Sequence, residues 1–220
     1  MNNYRRTAII VGVFFIIGTV VLISSGFFSE SIHAPDYLNA VATNQNSIKT
    51  AALIELISAA AIVGIPIALY PILKKYSQTL AVGYLTARIF EVIFLVAGTV
   101  ILLSILSLSQ EYIATTSTST FYNGVGALLM AIRDWCGILL DFPFTISAVI
   151  LNYVFYKTLL VPKWLSVWGI FGGALWLAIA PLRLFGIDNT MIEVLALPIA
   201  AQEMALAIWL IVKGFRTVTK

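Results

Sequence analysis

Eight ionisable residues, Glu55, Arg88, Glu91, Arg133, Asp134, Asp141, Arg183 and Glu203, lie inside stretches otherwise apolar enough to cross a lipid bilayer. A charge near the bilayer centre costs about 2.5–3.5 kcal/mol on insertion scales, so such groups pair with one another, relay protons or line a cavity for a polar solute. Arg88 and Glu91 are three residues apart in Ala87-Arg88-Ile89-Phe90-Glu91 and share one helical face. At about 1.5 Å per residue from the inner end of their helix, both fall near mid-bilayer. Glu203, preceded by Gln202, lies at similar depth in the last helix, so the three can meet. Two readings follow: a site for a small polar or ionic solute or a proton, and a closed ion-pair network that fixes helix register.

A longer polar stripe recurs at three- and four-residue intervals in the fourth apolar segment: Asp134, Gly137, Asp141, Thr145, Ala148, Asn152 and Tyr156. It is expected to face the interior of a helical bundle. Arg133, Glu55 and Arg183 fall at a comparable outer depth and predict a second charged cluster there, either a vestibule or a set of charges reaching the interface. Five embedded acids stand against three arginines. That imbalance favours a cation or a proton over an anion.

The elements that must position these groups are long apolar helices. With 60% hydrophobic and 10% charged residues among 220, and a mean hydropathy of +0.99, the composition is that of an integral membrane protein. The expected fold is all-α: a six-transmembrane-helix bundle in a single domain, with spans at about 8–28, 48–73, 80–108, 137–160, 165–184 and 191–212. The first follows Tyr4-Arg5-Arg6 and reads as a retained helix, since it lacks a clear small-x-small cleavage site. The fourth carries an outer helical extension from about residue 121. Forty helical residues would measure about 60 Å against a hydrocarbon core of about 30 Å, so the segment must break or project, with Gly137 and Pro143 the expected places and the spanning half starting near Gly137. Pro66, Pro71, Pro181 and Pro198 predict further bends. Nine Lys and Arg fall at alternate segment ends against Lys49 alone in the opposite loops, which places both termini in the cytoplasm.

Several chemistries are disfavoured. One cysteine, Cys136, and one histidine, His33, leave too few ligands for an ordinary zinc or haem site, and no cofactor is expected. No Ser/His/Asp set, HExxH or phosphate-cradling loop occurs, so no catalytic residue is assigned. An intramembrane enzyme would have to use paired carboxylates, with Asp134 and Asp141 the nearest candidates. The basic residues form no dense run, which argues against nucleic acid as a partner. Membrane lipid is the expected surrounding, and oligomeric state is left open.

Three stretches carry a family resemblance: Thr7-Ala-Ile-Ile-Val-Gly, then Leu80-Ala-Val-Gly-Tyr-Leu-Thr-Ala-Arg-Ile-Phe-Glu, then Leu160-Val-Pro-Lys-Trp-Leu-Ser-Val-Trp-Gly-Ile-Phe-Gly-Gly. The chain resembles, over almost its whole length, the bacterial membrane protein family catalogued as domain of unknown function 4386. The resemblance implies six helices in a bacterial plasma membrane, and it brings no established activity. Its most specific pieces are Arg88-x-x-Glu91 and the turn from Pro162 to Leu165. The functional expectation is a multi-pass protein that binds or transports a small polar or ionic solute, with a structural or sensory role as the alternative.

Overall fold

The computed structural model describes residues 3–115, 119–187 and 194–216, and all regular structure among these is helical. Helix α1 runs Asn3–His33, interrupted by a π-helical turn at Ile17–Val21 and closed by a 3₁₀ turn at Glu30–His33. A short helix α2, Tyr37–Thr43, follows, then α3, Gln45–Leu73, and α4, Gln78–Ala114. The rest is α5, Ser119–Thr158, α6, Lys163–Leu184, and α7, Leu197–Val212. Helices α1, α3, α4, α5 and α6 are each long and apolar enough to cross a membrane, and α7 is a shorter apolar helix. The expected start of the last span, near Met191, lies outside the described residues.

Local chemistry sets the helix ends. The Ser77 side chain caps α4 by accepting the Leu80 N–H at 3.3 Å. Helix α6 stops where Gly186 turns to φ 76° and the Ile187 N–H reaches back to the Leu182 carbonyl at 2.9 Å. Gly214, at φ 74°, ends α7 in the same left-handed conformation. Arg5 crosses from α1 to donate to the Leu210, Ile211 and Val212 carbonyls, placing a cation on the negative end of α7.

Two expectations need correction. Helix α5 is unbroken across Gly137 and Pro143 for all 40 residues. Its N-terminal end is held by packing. Tyr122 is buried against Tyr112, its hydroxyl lies 3.0 Å from that of Thr115, and Tyr37 of α2 donates to the Asn123 carbonyl at 3.4 Å. Pro198, expected to bend the last helix, sits in its first turn, where no intrahelical N–H bond is lost. Pro66, Pro71, Pro143 and Pro181 do lie inside helices.

The long helices pack in a closed cycle. Each of α3 through α7 lies against its neighbour in this order, α1 packs on α3, and α7 returns to α1. One end of the ring is filled by Phe15, Leu69, Tyr84, Phe155, Leu165 and Leu210, all at most 2% exposed. Small residues allow the close approaches on which helix association in lipid depends. A Cβ on Gly12 would stand 2.7 Å from the Ala207 carbonyl oxygen, and one on Gly169 would overlap the Asn152 side chain. Gly26 has nothing within 4 Å of such a Cβ. Gly12→Ala is therefore expected to cost about 1–3 kcal/mol by forcing α1 from α7, while Gly26→Ala is neutral or stabilising by up to about 1 kcal/mol. Thermal unfolding of the two variants in detergent checks the contrast; equal melting temperatures would remove the α1–α7 seam as a determinant of stability.

Candidate functional site

Arg88 projects from the N-terminal third of α4 into the ring at 2% exposure, with Glu91 at 3% and Glu203 of α7 at 6%. One turn of α4 brings Arg88 Nη1 within 3.1 Å of both Glu91 oxygens, and Nη2 donates to Glu203 Oε1 at 3.1 Å. Thr19 Oγ1 of α1 donates to the remaining Glu203 oxygen at 3.1 Å. The rings of Phe15, Tyr84 and Phe144 surround the guanidinium, with centroids 5.8, 5.7 and 5.5 Å from its carbon. Arg88 Nε–H and the Tyr84 hydroxyl are buried without a hydrogen-bond partner among the described residues.

Thr19 belongs to the π turn of α1, an irregularity frequent at functional sites. The turn is supported from α3, where the Ser58 hydroxyl donates to the Ile17 carbonyl at 3.4 Å. Sequence reasoning missed Thr19. The signal available was Gly18-Thr19 in the middle of an apolar run, which periodicity alone does not distinguish from packing.

A cavity of about 240 Å³ lies against this cluster, and the five long helices and the shorter α7 all contribute to its wall. Leu22, Ile62, Phe144, Trp176 and Ile199 supply apolar surface, while Arg88, Glu91, Glu203, Asp141 and Thr19 supply polar groups. A second cavity of about 510 Å³ lies towards the other end of the ring, lined by Glu55, Arg133, Asp134, Cys136 and Arg183 among others. Leu140 lines both. Beside it, Asp141 faces the smaller cavity, Arg183 faces the larger, and the two side chains form an ion pair.

The charges around the larger cavity sort into separate contacts. Arg133 pairs with Glu55 and donates to the Gly98 carbonyl, and the Thr99 hydroxyl donates to the other Glu55 oxygen at 2.6 Å. Asp134 is exposed at the wall of the larger cavity, so it and Asp141 address different cavities. The middle of the predicted stripe, Asp141, Thr145, Ala148 and Asn152, is buried, whereas Asp134, Gly137 and Tyr156 at its ends are exposed. Gln202 and Asn152 do not join the Arg88 cluster. Gln202 Nε2 donates to Asn152 Oδ1 at 3.0 Å and to the Leu165 carbonyl at 3.2 Å, tying α7 to α5 and α6.

Long apolar helices in a ring around buried charge define an α-helical multi-pass membrane protein. Residues 10–214 match the family model described as Domain of unknown function (DUF4386), and the chain belongs to that family. No curated protein and no solved structure matches it.

Removing one partner of a buried pair leaves an uncompensated charge, so Arg88→Ala is expected to destabilise the fold by about 3–5 kcal/mol. The triple substitution Arg88→Met, Glu91→Gln, Glu203→Gln should recover much of that loss, because no net charge remains buried. Melting temperatures in detergent test the order: a single variant as stable as wild type would mean that the cluster bears little energetic weight.

Proposed function

We propose that the chain binds, and carries across the membrane, a small polar or ionic solute at the Arg88–Glu91–Glu203 cluster. The observation that carries this reading is a cavity built by the five long helices and α7 against a group of one guanidinium and two carboxylates. That group carries a formal charge of −1, which a cation or a proton would balance. The larger cavity forms the approach from outside, and Leu140 with the Arg183–Asp141 pair stands between approach and site. The opposite half of the ring is packed by large apolar side chains, which suits a site reached from one side at a time.

The topology that goes with this function is six spans, α7 supplying the last, with both termini in the cytoplasm of a bacterial inner membrane. Support comes from the nine-to-one distribution of basic residues and from the contacts of Arg5 with the end of α7. Surrounding lipid and the solute are the partners. One observation favours a second reading, a closed structural or sensory clasp: each oxygen of Glu91 and Glu203 already accepts a hydrogen bond.

Thiol accessibility separates the two. In a Cys136→Ser background, Gly137→Cys marks the larger cavity and Ala200→Cys the smaller. With a membrane-impermeant methanethiosulfonate added outside, both positions are expected to label, and Ala200→Cys to react at least tenfold faster with the trimethylammonium reagent than with the sulfonate. Labelling at Gly137→Cys with none at Ala200→Cys in a folded variant would establish the sealed clasp instead.

A further inference from the structure

We infer that the solute of the smaller cavity is an amphipathic organic cation, a small quaternary or protonated amine whose ammonium group sits against Glu91 and Glu203. This rests on the binding reading above and names the chemistry of its ligand. Three features of the site converge on that class.

The first is charge. Glu91 and Glu203 share one guanidinium, Arg88 is the one cation among the described residues that line the cavity, and Asp141, the third acid on its wall, is paired with Arg183 of the larger cavity. A ligand of charge +1 neutralises the cluster without displacing Arg88, whereas an anion would raise the buried charge to −2.

The second is the wall. Leu22, Ile23, Ile62, Ile65, Phe144 and Ile199 form most of the surface away from the carboxylates. A hard metal cation prefers six or more oxygen ligands. Here the carboxylate oxygens are already shared with Arg88 and Thr19, and no group of three His, Cys, Asp or Glu that could hold a metal occurs among the described residues. An alkyl or aryl body exchanges its own apolar surface for that of the wall, at about 25 cal/mol per Å² removed from water. The volume of about 240 Å³ falls below the range of drug-sized sites and limits the ligand to a compact molecule.

The third is access and polarity. Ile23, on the cavity wall, is 64% exposed on the outer flank of α1, so the cavity reaches the side of the bundle that faces hydrocarbon. An amphipathic cation that partitions into the membrane can enter there. The polar side chains on the wall, Arg88, Glu91, Glu203, Asp141 and Thr19, meet the charged end of such a molecule.

The test uses the full chain in lipid nanodiscs with tritiated benzyltrimethylammonium as probe, against empty nanodiscs as background. Saturable binding is expected, undiminished by equal concentrations of neutral neopentylbenzene, its isostere, or of benzenesulfonate. Glu203→Gln should weaken binding at least tenfold. Ala200→Phe, which fills the cavity and leaves the charged cluster intact, should abolish it, and keeps the test decisive where Glu203→Gln does not fold. Displacement by neopentylbenzene would reduce the site to an apolar pocket, and displacement by benzenesulfonate would reverse its charge preference; either overturns the inference. Labelling of Ala200→Cys with no probe bound would overturn the ligand class and leave the binding site standing, while absence of both would remove the site itself.

Discussion

A guanidinium held where water is scarce is the constraint around which this bundle is arranged. Arg88 cannot shed its charge, so the fold must bring acceptors to it, and it does so from one turn along α4 and from α7, 115 residues away in sequence. Those contacts fix the rotation of both helices about their own axes. Closure of the ring at α1 and α7 follows the same requirement, because Thr19 must reach the far oxygen of Glu203. The π turn that presents Thr19 has its carbonyl at Ile17 supported by Ser58 of α3, which extends the network to a fourth helix. A change at the guanidinium therefore reaches the orientation of at least four elements.

The two halves of the ring differ in how they are held. At the end where Arg5 caps α7 and Lys75 reaches the Tyr4 hydroxyl, large apolar side chains interlock and the bonds of Gln202 to Asn152 and to the Leu165 carbonyl tie three helices. Packing of this kind is stiff, since dispersion contacts are lost as soon as surfaces separate. Towards the other end, helices are joined by ion pairs, Glu55 with Arg133 and Asp141 with Arg183, around two cavities. Ion pairs that face a cavity can exchange partners with water or solute at lower cost than an apolar seam can open.

The helices themselves were legible because hydrocarbon demands long apolar runs, and that signal does not depend on tertiary context. Arg88, Glu91 and Glu203 were legible for a related reason: residues that are costly at mid-bilayer stand out, and depth can be counted along a helix. Depth does not supply rotation, however. Asn152 and Gln202 share the right depth and turn towards each other instead of towards Arg88, and Asp134 and Asp141, seven residues apart on one stripe, end in different cavities. The unbroken α5 was hidden because its outer extension is held by Tyr37, Tyr112 and Thr115, which lie in other elements. Thr19 was hidden because a π turn leaves no mark in hydrophobic periodicity.

Whether the Arg88 cluster is a fastening or a site turns on its charge balance more than on its hydrogen bonds. A fastening in a low-dielectric interior is most stable when its charges cancel, since each uncompensated charge carries a desolvation cost that geometry cannot remove. Here every carboxylate oxygen has a donor, yet one negative charge is left over. A single glutamate would have sufficed to hold Arg88. The second, brought from α7 to the wall of a cavity that α7 and the five long helices line, raises the cost of the empty cluster and lowers the cost of placing a cation beside it. That combination weighs towards an arrangement meant to be completed by something that enters and leaves.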